Sequence, residues 1–377
     1  NNGGGTSIGL QPNGVLRTNG TAGSTYTSWT TGDVMGIALD MDNGNLYFYK
    51  NGTVMNSGSP VATSLTGSTW FFITSLESGE SLVANFGQRP FAYTAPSGFK
   101  ALVSTNLPTP TIANGAQYFA ATTYTGNTST QVITNGGNNN ALTTFAPDLV
   151  WLKVRNDAQN HRLFDTVRGA NKRIMSSSTA VEATTTDELT AFNINGFTLG
   201  ANTDVNGTGF NYIGWQWKGG GTAVSNTSGT ITSSVSANTT AGFSVVTYTG
   251  TGANGTIGHG LGAVPSMIII KNRQATNSWV VYHVSTGNGN VLLLNSTNAS
   301  TADALAWNNT TPTSTVFSVG TGANADTNQT AGGGQHVAYC FAPVSGFSVF
   351  GSYTGNGSTD GPFVYTGFRP RYVMIKN

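Results

Sequence analysis

Acids and histidines are scarce in this chain, which limits the chemistry it can do. The glutamates are Glu77, Glu80, Glu182 and Glu188. Glycoside cleavage needs two carboxylates facing one bond. Glu77 and Glu80 flank a Ser78-Gly79 turn, which places them at an exposed hairpin tip, and Glu182 and Asp187-Glu188 lie in a Thr-rich stretch. A glycan-cleaving site therefore has little to stand on. His161, His259, His283 and His336 are scattered singly, without metal-ligand spacing. Asp40-x-Asp42-Asn43-Gly44-Asn45 has the opening of a calcium loop. Its glycine falls one place early and no glutamate stands at the twelfth position, so a polar hairpin turn is the better reading. Gly255 to Gly262 is Gly-rich but lacks the Lys-Ser/Thr ending of a phosphate loop. No catalytic residue, metal or cofactor is expected.

What remains is binding chemistry. Lys153, Arg155, Arg162, Arg168, Lys172 and Arg173, with His161 among them, form the one concentration of charge. It can grip anionic sugars or envelope phosphates. Alternatively Asp148, Asp157 and Asp165 pair with part of it, or it lines a subunit interface. Trp151 and Trp279 sit in strand-like runs and read as core; Trp215 and Trp217 share one face of a strand. Trp307, in Ala306-Trp307-Asn308-Asn309, sits in loop composition and is the stacking candidate. The expected glycan-binding residues are thus Trp307, Arg162, Lys172 and Arg173.

The elements that must carry these residues are strands. Charged residues make up only 8% of the chain, about a third of the usual share, while the apolar 38% is enough for folded cores. The surface is coated with hydroxyls and amides, which suits an extracellular fibre. The net charge of +1 gives no pull toward nucleic acid, and no run reaches membrane-spanning length. Cys340 stands alone, so no intrachain disulfide can form, and its run Val337-Ala338-Tyr339-Cys340-Phe341 reads as a buried strand. Alternating runs at 36–40, 46–49, 70–74, 150–154, 244–248, 267–270 and 291–294, punctuated by Gly, Asn and Pro, give the all-β pattern. The one helical candidate is a short turn at 185–192, behind Asp187-Glu188.

The chain also repeats. Tyr124-Thr125-Gly126 with Pro147 and Lys153, Tyr248-Thr249-Gly250 with Pro265 and Lys271, and Tyr353-Thr354-Gly355 with Pro370 and Lys376 are three copies, and proline to lysine is 6 residues in each. Two copies add a closing strand, Tyr212 to Trp217 and His336 to Phe341; the third stops before one. Without a starting Met, the sequence reads as a window on a longer polypeptide. The expected domains are a sandwich at 1–103, a Pro-containing linker at 104–116, repeat one at 117–218, a Gly/Ser/Thr linker at 219–241, repeat two at 242–344 and the start of repeat three at 345–377.

Residues 1–103 differ from the repeats. Gly32-Asp33 opens a strand, Leu39-Asp40 precedes an Asn43-Gly44 turn, Phe48 and Asn51-Gly52 follow it, and Val83-Ala84-Asn85-Phe86-Gly87 with Pro90-Phe91 stands where the family that this stretch resembles has a late strand. This stretch resembles the SPRY family, a concanavalin-like β-sandwich, and the resemblance implies a binding module. The order of that sandwich, a Pro linker and Pro-Asp-Leu-Val-Trp-Leu-Lys repeats resembles the virion appendage proteins of tailed bacteriophages, such as tail fibres. The segments carrying it are Pro147 to Trp151, Leu163 to Ala170 and Tyr212 to Lys218.

The fold expected is all-β: serial β-sandwich modules, a SPRY-like jelly-roll sandwich followed by repeated sandwich domains. The function expected is a structural virion protein that attaches to host-surface glycan. Its partners would be itself, as a homo-oligomer and in particular a trimer, other virion proteins and the glycan, without nucleic acid or membrane insertion. It would reside in the virion tail after assembly in the host cytoplasm. A secreted cellular adhesin or lectin, and a glycan depolymerase, are the alternatives.

Overall fold

The computed structural model describes residues 7–66, 70–76, 78–103, 106, 110–135, 144–322 and 326–377. Glu77, the Gly-rich opening and most of 104–109 lie outside them. The chain divides into two compact units, Asn1–Pro108 and Thr109–Asn377. In both, the regular elements among the described residues are almost all strands.

The first unit holds two three-stranded antiparallel sheets. One contains β1 (Ile8–Leu10), β2 (Val15–Thr18) and β3 (Thr21–Thr25); the other contains β4 (Met35–Asp40), β5 (Asn45–Lys50) and β6 (Thr53–Val54). Asn43-Gly44 makes the expected hairpin: Asp40 pairs with Asn45, and Gly44 takes a φ of 68°, open to glycine without strain. The Asp40 carboxylate accepts from the Asp42 and Asn43 amides and the Asn43 side chain, which is turn chemistry and no metal cage. Leu16, Leu46, Phe48, Met55 and Leu65 form its core. The runs at 70–74 and 83–87 carry no strand among the described residues, and Ile73 and Val83 stay exposed with nothing paired across them.

The second unit holds two copies of one sandwich. The first copy runs β7 (Phe119–Thr125), β8 (Gln131–Thr134), β9 (Leu149–Val154), β10 (Arg162–Asp165), β11 (Lys172–Arg173), β12 (Ala183–Thr184), β13 (Leu189–Asn193), β14 (Gly196–Leu199), a helical turn α1 (Thr203–Asn206) and β15 (Asn211–Trp217). The second runs β16 (Val224–Asn226), β17 (Ser233–Asn238), β18 (Phe243–Thr249), β19 (Gly255–Gly258), β20 (Met267–Asn272), β21 (Val280–His283), β22 (Asn290–Leu293), β23 (Thr301–Ala302), β24 (Val316–Val319) and β25 (Gln335–Phe341). The main sheet of the first is ordered β7-β15-β9-β10, and the second contains β18-β25-β20-β21, the same order, within eight strands. The facing sheets correspond too, β8 with β14 and β19 with β24. In each copy the closing strand is central, bonded to the first and second strands on its two sides.

The repeat motifs are structural staples. The Tyr124 hydroxyl donates to the Val205 carbonyl at 2.8 Å, and Tyr248 donates to the Thr327 carbonyl at 2.5 Å. The glycine two residues on lets the backbones meet: a Cβ on Gly126 would fall 2.2 Å from the Gly207 oxygen, and one on Gly250 would fall 2.6 Å from the Gln329 oxygen. Lys153 and Lys271 each close the turn after their strand, on the carbonyls of Asp157 at 2.8 Å and Ala275 at 3.0 Å.

The copies pack sheet against sheet, which explains their uninterrupted apolar runs. Successive strand residues point to opposite faces. Val150 and Leu152 of β9 enter the first copy's own core with Phe164, Phe197 and Leu199. Leu149 and Trp151 instead enter a core shared between copies, with Val245, Ile269, Trp279 and Tyr339. In β20, Ile268 and Ile270 join Tyr248, Phe317 and Trp307 in the second copy's core, while Ile269 faces the seam. Strands buried on both faces lose polar alternation.

Two expectations fail in this unit. Residues 185–192 form no helical turn; β13 begins at Leu189 and pairs with β14, because Leu189 and Phe192 meet Leu199 and Phe197 across the ladder. Residues 219–241 are no free linker: they carry β16 and β17 of the eight-stranded sheet, and the Asp148 carboxylate pins the Gly219 and Gly221 amides at 2.8 and 3.3 Å. Residues 345–377 carry no strand, only an isolated bridge from Val344 to Ser348.

Candidate functional site: a hydroxyl-lined groove beside a buried ion network

The structure takes the predicted glycan-binding residues inward or pairs them. Trp307 is 1% exposed, lies edge-on to Tyr282 at 5.6 Å, and donates its indole N–H to the Asn290 carbonyl at 3.1 Å. It is a core residue and offers no stacking face. Arg162 is buried and ion-paired with Asp204 and, at 3.6 Å, with Glu188. Arg173 reaches the same Glu188 at 2.9 Å. Lys172, beside it on β11, donates to the Thr184 hydroxyl at 2.8 Å. The fold thus gathers Arg162 and Arg173 around one carboxylate and leaves Trp307 in another core. The reason is burial: a guanidinium inside a sandwich demands a carboxylate, and Glu188 and Asp204 supply two.

A second network joins the copies. The Arg168 guanidinium contacts Asp165 at 2.5 Å, Glu182 at 3.0 Å and the Tyr339 oxygen at 3.3 Å, and Tyr339 donates to Asp165 at 2.8 Å. Glu182 also takes Arg273 bidentately, both contacts at 2.8 Å. Burial alone would pull the Arg168 pKa down; Asp165, Tyr339 and Glu182 outweigh it and hold the guanidinium firmly charged. Burial likewise pushes the Glu182 carboxyl up, but Arg273 and Arg168 bring it below the usual range. Lys271 crosses the same seam, donating to the Thr179, Ala275 and Asn277 carbonyls, and burial lowers its pKa to about 8.

A buried Asp–His pair was invisible in the sequence. His336 Nε2 meets Asp326 Oδ1 at 2.9 Å, Nδ1 meets the Gly334 carbonyl at 2.7 Å, and the ring stacks on Tyr248 at 5.0 Å. Burial raises the Asp326 pKa, yet hydrogen bonds from His336, Asn272 and Asn277 prevail and hold it at about 2. Both imidazole nitrogens face acceptors, so neither is available to take a nucleophile's proton. The equivalent position in the first copy is Tyr212, stacked on Tyr124 at 5.1 Å. This pair is a scaffold feature. Among the described residues no group of three or more His, Cys, Asp and Glu could hold a metal ion.

A shallow groove of about 370 Å³ lies open on the seam-side face of the eight-stranded sheet. Its floor is two cross-strand rows. Ser225, Ser234 and Thr247 stand opposite one another across β16, β17 and β18; Thr249 and Gln335 stand opposite two residues further on. The period of two puts all five on one face. Arg273 borders the groove, held by Glu182. These side chains present hydroxyls, one amide and one guanidinium, with no carboxylate among them. They can donate to and accept from sugar hydroxyls but cannot perform paired acid–base chemistry.

The comparisons agree with this division of the chain. The family described as Domain of unknown function (DUF7483) matches residues 114–377. The chain belongs to this family. Its DUF7483 region takes in both sandwich copies, the groove and the third-copy segment. The SPRY domain family matches residues 4–89. Among curated proteins, the E3 ubiquitin-protein ligase RKP of Arabidopsis thaliana is 36% identical over 76 residues, 20% of this chain and 6% of that protein. No solved structure matches.

Proposed function

We propose that this chain is a structural, non-catalytic binding protein that contacts host-surface glycan through the hydroxyl-lined groove, as part of a virion appendage such as a tail fibre of a tailed bacteriophage. The observation that carries the reading is the placement of charge. Arg162, Arg168, Arg173 and Arg273 of the second unit pair with acids of that unit, while an open groove is lined by Ser, Thr, Gln and Tyr248 with a single held guanidinium. Such a lining suits uncharged polyhydroxylated ligands, whose hydroxyls must exchange water for many protein donors and acceptors. The SPRY match adds a second binding module, and the low charge leaves copies of the chain free to associate, as a trimer in this reading.

The test has two arms. The whole chain is presented to an array of bacterial envelope polysaccharides, and affinity for the best ligand is compared between wild type and Ser234→Ala/Thr247→Val/Gln335→Ala. Each lost hydrogen bond is worth about 0.5–1.5 kcal/mol, so the triple variant should bind roughly tenfold or more weakly. Chelator should leave binding unchanged. Unchanged affinity of the variant, or no glycan bound, overturns the groove assignment. Antibody against the chain should label purified infectious particles; label found only with secreted cellular material favours a cellular adhesin instead.

A further inference from the structure

One guanidinium of the first copy's basic group is uncommitted. Arg162, Arg168 and Arg173 are ion-paired. Lys153 is held by the Val154 and Asp157 carbonyls at 2.7 and 2.8 Å, and Lys172 by the Thr184 hydroxyl at 2.8 Å. Arg155 is exposed, and its guanidinium makes no hydrogen bond or ion pair with a described residue.

Its place in the repeat shows what it can hold. Arg155 follows β9 and donates its backbone N–H to the Asn211 carbonyl at 2.7 Å; Arg273 follows β20 and donates to the Gln335 carbonyl at 2.8 Å. Asn211 stands opposite Thr125 as Gln335 stands opposite Thr249. The row Thr125-Asn211-Arg155 is therefore the first copy's version of the row Thr249-Gln335-Arg273 at the groove. Each step along such a row is about 5 Å. In the second copy the arginine is filled: it takes the Glu182 carboxylate bidentately, both contacts at 2.8 Å. Glu182 stands immediately before β12. The residue immediately before β23, the matching strand, is Ser300, which has no carboxylate to offer in return. The same arginine position holds a carboxylate in one copy and none in the other. Asn211 adds spare donors. Its Oδ1 accepts from the Thr125 hydroxyl at 3.1 Å, and its Nδ2 donates to no described residue. A guanidinium and an amide thus stand in adjacent places with donors in excess of acceptors.

We propose that this row is a second glycan subsite, on the first copy, for the carboxylate of an acidic sugar, a uronate. It rests on the reading of the chain as glycan-binding but not on the groove. The planar Arg155 fork takes the two carboxylate oxygens, as Arg273 takes those of Glu182. The Asn211 amide and the exposed Thr123 and Thr125 hydroxyls meet the hydroxyls that flank a uronate carboxyl. An acidic side chain of a protein would satisfy the guanidinium and leave those groups unused, so the neighbours favour a sugar.

The probes are oligogalacturonate, oligoglucuronate and their fully methyl-esterified forms, titrated calorimetrically into the intact chain. At least one acid form should bind, and its ester, which keeps every hydroxyl and loses the charge, should bind markedly more weakly. Arg155→Ala should weaken the acid form about fivefold, a size set by the exposure of the pair. That difference should fade as salt rises. The side chain makes no contact the fold needs, so an unchanged melting temperature verifies the variant. Affinity for the neutral polysaccharide that the groove binds should not change in Arg155→Ala. Absence of binding to both acids, equal binding of acid and ester, or equal binding of the acid by Arg155→Ala each overturns this subsite and leaves the groove reading standing. Arg155-dependent uronate binding without any neutral ligand for the groove supports this subsite and overturns the groove instead. A glutamate hexapeptide that competes as tightly as the uronate overturns the choice of a sugar.

Discussion

Arg168→Leu should be the most damaging single change in the seam between the two copies. Asp165 is fully buried and receives the Arg168 guanidinium at 2.5 Å, the Arg168 backbone N–H at 2.8 Å and the Tyr339 hydroxyl at 2.8 Å. Removing the guanidinium leaves two neutral donors to solvate a buried carboxylate. It also takes a donor from the Lys172 carbonyl and from the Leu163 carbonyl, the latter keeping the Ile174 N–H at 3.2 Å. Glu182 is less affected, because it keeps Arg273. Breaking a buried pair by deleting one partner costs about 3–5 kcal/mol. With a urea slope of about 3 kcal/mol per M, the unfolding midpoint should fall by roughly 1–2 M. The assay is tryptophan fluorescence, since Trp151 and Trp279 both report from the seam. The double variant Arg168→Leu/Asp165→Leu should recover a good part of the loss, because the orphaned charge is gone. A single-variant midpoint within about 0.3 M of wild type, or a double variant losing the full sum of two deletions, would refute the reasoning that an uncompensated carboxylate dominates.

Three further outcomes are expected. The Asp326 carboxyl, held at about 2 against an ordinary 3.8, stabilises the fold above pH 3.8 and loses that contribution as pH falls through 2. This amounts to about 2–3 kcal/mol, and in urea titrations from pH 5 to 2 Asp326→Asn should flatten that part of the profile. Trp307→Ala should cost about 3–5 kcal/mol of stability by emptying the second core, measured by chemical denaturation, while leaving glycan affinity of the surviving folded fraction unchanged. The groove variant Ser234→Ala/Thr247→Val/Gln335→Ala should do the reverse, weakening binding with a melting temperature close to wild type.

Much of the fold was legible because its signals are local. The Asn43-Gly44 hairpin needs only a residue that tolerates positive φ between alternating runs. The duplicated sandwiches show in the proline-to-lysine step, since equal spacing of turn and strand demands equal topology. What failed was information that depends on partners distant in sequence. The run Met267 to Ile270 states that both faces of β20 are covered but not that the first copy covers one of them. Arg162 read as a contact for anionic sugars because its partners Glu188 and Asp204 lie far along the chain, whereas the pairing of Arg168 with Asp165, three residues away, was open to the sequence as the alternative. Trp307 sits among turn residues, yet its indole N–H finds the Asn290 carbonyl 17 residues upstream, which lets the ring go inside. The stretch at 219–241 reads as linker by composition, but edge strands tolerate Ser and Thr, and backbone pairing with β18 holds it.

The duplication separates scaffold from candidate site. Features present in both copies maintain the sandwich: the tyrosine staple to the carbonyl of residue 205 or 327, the close approach at Gly126 or Gly250, and the lysine that closes the turn. A second asparagine staple obeys the same logic, with Asn206 accepting from the Asn127 amide and Asn328 from the Thr251 amide, both at 3.0 Å. None of these side chains is available for ligand. The groove arises where the copies diverge. In the first copy β7 ends its sheet; in the second, β16 and β17 add two strands beside β18, and their serines extend the polar face beyond the area where the copies cover one another. Arg155 and Arg273 occupy equivalent places after their strands, each bonding through its backbone N–H to the start of the closing strand. Only Arg273 is clamped, by Glu182 of the other copy. The groove therefore exists because one copy gained an edge hairpin and the seam fixed an arginine at its rim. A change that removes the hairpin's side chains without touching the staples should erase binding and leave the sandwich standing.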